Sequence, residues 1–135
     1  MDFALSEEHK IFQRTVTQFA QKEIAPLGKE CEEKEEYPKG LFRRAGELGF
    51  LGIPYPEEYG GTGPDTIALS IFAEEVTKAD AGIAMGLVVQ NTVGTSPIYN
   101  FGSEELRGIW YPLSEVNWSV PLPSRNPTLV LTSLP

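Results

Sequence analysis

Apolar residues recur at three- and four-residue steps through most of the first 112 residues, and this spacing constrains the fold more than any other feature. The first stripe is Ile11, Phe12, Val16 and Phe19, which predicts a helix face packed against a core. No alternating apolar–polar stretch of useful length occurs before residue 112, which argues against strands there. The pattern therefore predicts an all-α fold, a helical bundle of about five or six helices with one long Gly/Pro loop.

Local signals mark where the helices begin and end. Ser6 and Ser103 are each followed by two glutamates, which predicts an N-cap with acidic residues in the first turn at both places. Pro26 predicts a break or kink just before it. Pro38 is expected at the first position of a further helix, and Gly49 at the position just past its end. The predicted apolar face of that helix is Leu41, Phe42, Ala45 and Leu48.

Residues 49–65 hold five glycines and three prolines, a density that predicts an ordered loop rather than a regular helix. The longest periodic stretch then begins at Asp65 or Thr66. Residues 79–82 interrupt it, and the nearly all-apolar residues 83–89 predict a helix buried on most sides. The periodic stretch contains Ile67, Ile71, Phe72, Glu75 and Val76, with Glu74, Glu75 and Lys78 expected on its wetter side.

Charge and composition exclude several function classes. The net charge is −8 with no basic cluster, which argues against nucleic acid and anionic membranes as partners. No apolar run approaches the ~20 residues of a transmembrane helix. With one histidine and one cysteine, His9 and Cys31, the chain offers no zinc site and no Ser-His-Asp or Cys-His pair with supporting context. The single cysteine and the acidic start favour the cytosol.

Residues 29–36 form a mixed charge run, read as a solvated helical face with Glu/Lys pairs. Cys31 within this run is expected to be a buried or neutral thiol rather than a nucleophile.

The order of the motifs resembles the N-terminal helical domain of the acyl-CoA dehydrogenase family. Each piece alone is weak, but five pieces in the right order with the right gaps are specific. The resemblance covers residues 2 to about 112, so domain 1–112 is interpreted as this helical domain. The matching pieces are DFALSEEH (2–9), FAQKEIAP (19–26), LGFLGIPYPEEYGGTG (48–63), FAEEVTKADAG (72–82) and SPIYNFGSEELR (96–107).

The resemblance implies a flavoprotein that removes the α and β hydrogens of an acyl-CoA thioester. A glutamate base takes the α proton and FAD takes the β hydride. It also implies an electron-transfer flavoprotein as acceptor and a homo-oligomer for the complete protein. By the same resemblance, Met85, Gly86 and Val89 are substrate-binding residues on one wall of the acyl pocket. The base and the flavin contacts belong to the missing regions, so no catalytic, cofactor or metal residue is expected here.

The resemblance ends abruptly at the tail, residues 113–135. Family members continue toward a Thr/Ser-Glu-Pro-x-x-Gly-Ser-Asp stretch, whereas this tail carries only two charged residues, Glu115 and Arg125, and four prolines. Residues 113–134 can be back-translated into codons that, read two bases later, encode LRGELVGAFALTEPNAGSDVT, which contains TEPNAGSD. We interpret the tail as the product of a frameshift through a deletion, a sequencing error or a cloning artefact, and expect it to be extended or disordered.

Two classes of function remain open from the sequence. The favoured one is a fragment of an FAD-dependent acyl-CoA dehydrogenase that is inactive alone and does not bind FAD by itself. The alternative is a non-catalytic acidic helical module that binds another protein, supported by the charge run at 29–36 and by the lack of a complete catalytic set.

Overall fold

The computed structural model describes residues 4–38 and 40–110, with side chains described as far as Arg107. Within these ranges the chain forms seven α-helices and no strand, which confirms the all-α prediction. Because π-helical turns join α1 to α2 and α5 to α6, the seven helices make five continuous helical segments, here called rods. None of these helices is long and apolar enough to cross a membrane. The tail expectation falls on residues outside the described ranges. The helices are α1 (Glu7–Phe19), α2 (Ala25–Lys34), α3 (Gly40–Glu47), α4 (Thr66–Ala79), α5 (Ala81–Val89), α6 (Ser96–Phe101) and α7 (Glu104–Trp110).

The chain stays helical before Pro26, so the predicted break is absent, but the α-helical pattern is interrupted there. A π-helical turn at Ala20–Ile24 joins α1 directly to α2. The Ala25 N–H bonds five residues back to the Ala20 carbonyl. The proline then lies at the start of α2, where its missing N–H leaves no α-helical bond broken.

The third helix begins later than predicted. It starts at Gly40, two residues after Pro38, and the Leu41 N–H bonds to the Pro38 carbonyl at 2.9 Å. Gly49 follows its end with φ +78°, a left-handed conformation that glycine adopts without steric cost. The predicted end of this helix is therefore confirmed.

The Gly/Pro loop is ordered, as predicted, and it forms part of the core. It contains short 3₁₀ turns at Phe50–Gly52 and Glu57–Tyr59. The Phe50 ring lies at the centre of the core, with ring centroids 5.1 Å from Phe19 and 5.3 Å from Phe72. Loop residues that the structure buries are Phe50, Leu51, Ile53 and Tyr55.

Three predicted core residues lie at the surface instead. Ile11 is 60% exposed, Ile67 52% and Leu48 38%. Successive helix residues point about 100° apart, so Ile11 and Ile67 face away when their neighbours Phe12 and Ala68 face inward. Periodicity located the helices correctly, but it did not determine which edge of each stripe meets a neighbour.

Glu75 shows the opposite error, because the structure buries it to 7% exposure although it was expected on the wetter side of α4. The α1 helix packs along α4 and covers this carboxylate. Burial raises the pKa of Glu75, but hydrogen bonds from Lys78, Gln13 and Thr17 outweigh that effect and lower its pKa overall. Lys78 and Gln13 donate to Oε1 at 2.9 and 3.0 Å, and Thr17 donates to Oε2 at 3.0 Å.

Candidate functional site

The apolar helix α5 begins after a single-residue interruption at Asp80, whose Oδ1 accepts the Ile83 N–H at 2.8 Å. Its inner side is buried among α4 and the core through Ile83, Ala84 and Leu87. Met85 on the outer side is 64% exposed. The prediction that this helix is buried on most sides is therefore wrong for its outer side.

The three predicted substrate residues occupy different environments. Met85 is exposed and Val89 is half-buried, so both are accessible from the outer side. Gly86 packs against Tyr37, and a Cβ built on Gly86 would lie 2.5 Å from the Tyr37 hydroxyl oxygen. The missing side chain at position 86 therefore makes room for an aromatic ring of this same chain.

Tyr37 braces α5 from the segment before α3. Its hydroxyl donates to the Ile83 carbonyl at 2.7 Å. Burial raises the pKa of Tyr37, and the nearby Cys31 and Asp80 raise it further, so the phenol remains a neutral donor at physiological pH. Cys31 is half-buried and packs against the core.

A second brace fixes the rod where α5 passes through a π turn at Gln90–Gly94 into α6. Asn91 is fully buried, and its Nδ2 donates to the Phe50 carbonyl at 2.7 Å. The Tyr55 hydroxyl donates to the Asn91 carbonyl at 2.6 Å. Sequence reasoning missed this link, although polar residues at 90–92 inside an apolar run were a signal for it.

Four apolar side chains along this rod are exposed or half-buried, and they are here called the outer strip: Met85, Val89, Val93 and Phe101. Val93 is 59% exposed and Phe101 is 89% exposed. Residues 81–103 contain no charged side chain. Such a surface can contact an acyl chain or another part of a protein, but its side chains have no acid or base to transfer a proton.

The structure also brings together three residues that the sequence left unconnected. The Ser6 hydroxyl lies 2.9 Å from His9 Nδ1, and His9 Nε2 lies 2.8 Å from Asp65 Oδ2. Of the three, His9 and Asp65 line a cleft of about 320 Å³. The sequence predicted no Ser-His-Asp group, and the structure corrects this by placing Ser6, His9 and Asp65 within hydrogen-bond distance of one another in a row.

This arrangement braces two helix starts. Ser6 Oγ accepts the His9 backbone N–H at 3.1 Å and Asp65 Oδ1 accepts the Ala68 N–H at 2.9 Å, so each caps its own helix. The Ala68 N–H and the His9 ring lower the pKa of Asp65, which keeps the carboxylate charged. The histidine then ties the cap of α1 to the cap of α4.

The charge run on α2 pairs within itself. Lys34 Nζ lies 2.6 Å from Glu30 and Lys29 Nζ lies 3.8 Å from Glu33, as predicted for a solvated face. Across the described ranges, no group of three or more His, Cys, Asp or Glu side chains could hold a metal ion.

Comparisons with known proteins agree on one domain. Residues 6–113 match the family described as acyl-CoA dehydrogenase, N-terminal domain. The "Probable acyl-CoA dehydrogenase YngJ" of Bacillus subtilis is 43% identical over 78% of this chain and 28% of its own length. The chain thus spans little more than a quarter of this curated relative.

Solved structures give the same picture. Butyryl-CoA dehydrogenase from Megasphaera elsdenii superposes with a TM-score of 0.74 at 33% identity, over 85% of this chain and 31% of that one. An acyl-CoA dehydrogenase from Bacillus anthracis complexed with FAD gives 0.75 at 35% identity, over 84% and 19%.

Proposed function

The chain belongs to the acyl-CoA dehydrogenase family through its N-terminal domain, and on that premise we propose that it supplies one wall of the acyl pocket in an FAD-dependent enzyme that desaturates an acyl-CoA thioester between its α and β carbons. The observation that carries the proposal is the outer strip. Its side chains are apolar, uncharged and accessible on a rod braced at Tyr37 and Asn91, which are the properties required to hold an alkyl chain in place.

Within this wall, Met85 and Val89 contact the acyl chain, and Gly86 acts indirectly by seating Tyr37 behind them. The Tyr37 ring fills the space beside Gly86, so α5 is supported directly behind its exposed side. A rigid wall limits how far the alkyl chain can shift, and this keeps the reacting carbons in one orientation.

FAD supplies the hydride acceptor in the complete protein. The side chains of the outer strip are all apolar, so they offer no hydrogen-bond partner for a flavin. They fit an acyl chain and not the cofactor, and we assign flavin binding and the catalytic base to the part of the complete protein beyond this chain. The chain alone is therefore inactive in this proposal.

Two further points follow from the family resemblance: the complete protein passes electrons to an electron-transfer flavoprotein and forms homo-oligomers. A cytosolic location is proposed separately, on the single cysteine.

We also propose that residues from 113 onward are frameshifted. The match to the family ends at residue 113, and synonymous codons exist for residues 113–134 whose shifted frame encodes the family signature. Resequencing the DNA across the codons for Tyr111 to Ser114 tests this point. An intact frame with no family-like frame downstream would reject it.

A chimera tests the pocket wall. Residues 1–112 replace the matching segment of the complete B. subtilis relative, and kcat/KM is measured for acyl-CoA substrates of increasing chain length. We expect Met85→Ala and Val89→Ala to shift the preference toward longer chains by about tenfold, because each enlarges the pocket by more than one methylene. Ile67→Ala, exposed on α4, is the matched control. An unchanged preference in both pocket variants would reject the wall.

The isolated chain gives a separate test. Its purified form should show no flavin absorbance and no bleaching on addition of acyl-CoA. Flavin that co-purifies and is bleached by substrate would show that these residues alone hold the cofactor, contrary to the proposal.

A further inference from the structure

Gly86 lies at the edge of the outer strip, between the exposed and the buried side of α5. Successive helix residues point about 100° apart, which places Gly86 about 100° from Met85 and about 60° from Val89 and Ile83, on either side of it. Met85 is 64% exposed and Ile83 is 3% exposed, while Gly86 and Val89 are half-buried. Whatever lies beside Gly86 therefore borders the accessible part of the wall.

Tyr37 occupies that border position. A Cβ built on Gly86 would lie 2.5 Å from the Tyr37 hydroxyl oxygen, 2.6 Å from Cζ and 2.7 Å from Cε2. The end of the ring thus takes the place where a side chain of residue 86 would begin. Tyr37 is itself half-buried rather than enclosed. The surface at position 86 is therefore provided by a ring from the segment before α3.

The Tyr37 ring is held at two points. Its hydroxyl donates to the Ile83 carbonyl at 2.7 Å. Its ring centroid lies 5.1 Å from that of Phe42, with the two planes tilted by 31°, and Phe42 is buried in the core. A flexible side chain could give way to part of a ligand, whereas a ring fixed in this manner forms a rigid boundary.

We propose that Tyr37 determines which acyl groups the wall accepts, by closing its side at Gly86 against branched chains. The inference rests on the proposed acyl pocket and extends it to a residue outside the outer strip. A straight alkyl chain lying along Met85 and Val89 passes the ring, whereas a methyl branch directed toward Gly86 meets the ring edge. The substrate class is therefore straight-chain acyl-CoA thioesters.

Exchanging the ring for a smaller side chain tests this boundary. In the chimera with the B. subtilis relative, kcat/KM is measured for pairs of acyl-CoA substrates of equal main-chain length, one straight and one with a single methyl branch. The branch is moved along the chain from pair to pair. Tyr37→Leu removes the ring atoms beside Gly86, and we expect the branched-to-straight ratio of kcat/KM to rise by about tenfold for at least one branch position.

Two further variants at this position separate the ring from the hydrogen bond. Tyr37→Phe keeps the ring but loses the bond to Ile83, and it should raise the ratio less than Tyr37→Leu does. Tyr37→Met supplies a flexible side chain that can give way, and it should raise the ratio as well, so the test does not depend on the folding of one variant. Flavin content shows which chimeras are folded.

Refilling the space from α5 distinguishes a boundary from a general support. Gly86→Val added to Tyr37→Leu places methyl groups where the ring end was, and it should return the ratio toward that of the unmodified chimera. A loss of folding alone would lower kcat/KM for both substrates of a pair and leave their ratio unchanged. Tyr59→Leu is the matched control, since Tyr59 is a half-buried tyrosine that packs on Tyr99, and its ratio should not change.

The outcomes distinguish this inference from the pocket on which it rests. An unchanged ratio in Tyr37→Leu and Tyr37→Met, with Met85→Ala and Val89→Ala still shifting the chain-length preference, would overturn the role of Tyr37 and leave the pocket wall standing. No shift in any of these variants would reject the wall itself. A raised ratio that Gly86→Val does not lower, or that Tyr59→Leu reproduces, would also overturn the boundary at Gly86.

Discussion

The α1–α4 interface and the α5–α6 rod bury apolar side chains by different means. Between α1 and α4, the buried Glu75 carboxylate receives three donors and His9 joins the two helix caps. The rod is braced on its inner side by Tyr37 and Asn91, while its outer side stays apolar and accessible. The polar groups of the α1–α4 interface find their partners within this domain, whereas only the inner side of the rod packs against the rest of the domain. The two most exposed of the large apolar side chains, Phe101 at 89% and Met85 at 64%, both lie on the rod.

Truncating one phenylalanine in each region should give the largest difference in the free energy of unfolding. Phe72 is fully buried and its ring centroid lies 5.3 Å from Phe50, so Phe72→Ala should lower the free energy of unfolding by about 3–5 kcal/mol. Phe101, 89% exposed, should lose less than about 0.5 kcal/mol in Phe101→Ala. Urea unfolding followed by circular dichroism measures both. Equal losses would show that the rod's outer side is as well packed as the core.

The inner brace of the rod gives the next effect. Asn91→Ala removes the donor to the buried Phe50 carbonyl and should cost about 2–3 kcal/mol, because that acceptor is left unsatisfied next to a new void. Asn100→Ala on α6 is the control, since its amide bonds only to Ser96 at the surface. A loss at Asn91 no larger than at Asn100 would mean that the loop does not support the π turn.

The α1–α4 interface should respond somewhat less to loss of its carboxylate. Glu75→Ala leaves the Gln13 side-chain amide without its acceptor, whereas the Thr17 hydroxyl keeps the Gln13 carbonyl at 2.8 Å, and we expect a loss of about 2 kcal/mol. Glu74→Ala on the same helix removes a carboxylate that is 62% exposed and should be nearly neutral. Similar losses in both variants would show that the hydrogen bonds between α1 and α4 at Glu75 do not contribute to the free energy of unfolding.

The smallest effect concerns the helix caps and pH. The folded-state pKa of Asp65 is lowered by the Ala68 N–H and by His9, so its stabilisation is present above the unfolded pKa of about 4 and is lost as the pH falls through the lower folded pKa. Asp65→Asn keeps a capping side chain but cannot ionise. Between pH 7 and pH 3, about the range of this titration, the unmodified chain should lose more stability than the variant. The difference should stay below about 1 kcal/mol, since Asp65 is 45% exposed.

Comparing thermal melts of the two proteins across this pH range tests the cap prediction. Parallel loss of melting temperature in both would show that Asp65 does not contribute through its charge. A larger loss in the Asn variant would contradict the sign of the pKa shift.

The sequence by itself determined the starts of α1, α4 and α7 and the end of α3. Ser6, Asp65 and Ser103 cap by accepting N–H groups three residues ahead, and Gly49 ends α3 by its own left-handed conformation. These are local interactions, so a few neighbouring residues suffice to predict them. The order of the motifs likewise identified the family over most of the chain.

Only the tertiary structure decided which residues meet. His9 and Asp65 are 56 residues apart and Tyr37 and Ile83 are 46 apart, and neither contact follows from helix periodicity. The burial of Glu75 depends on how α1 lies against α4, and the space beside Gly86 is filled by Tyr37. Each depends on the relative position of whole helices, which is set by packing of the complete core rather than by the hydrogen bonds of any one segment.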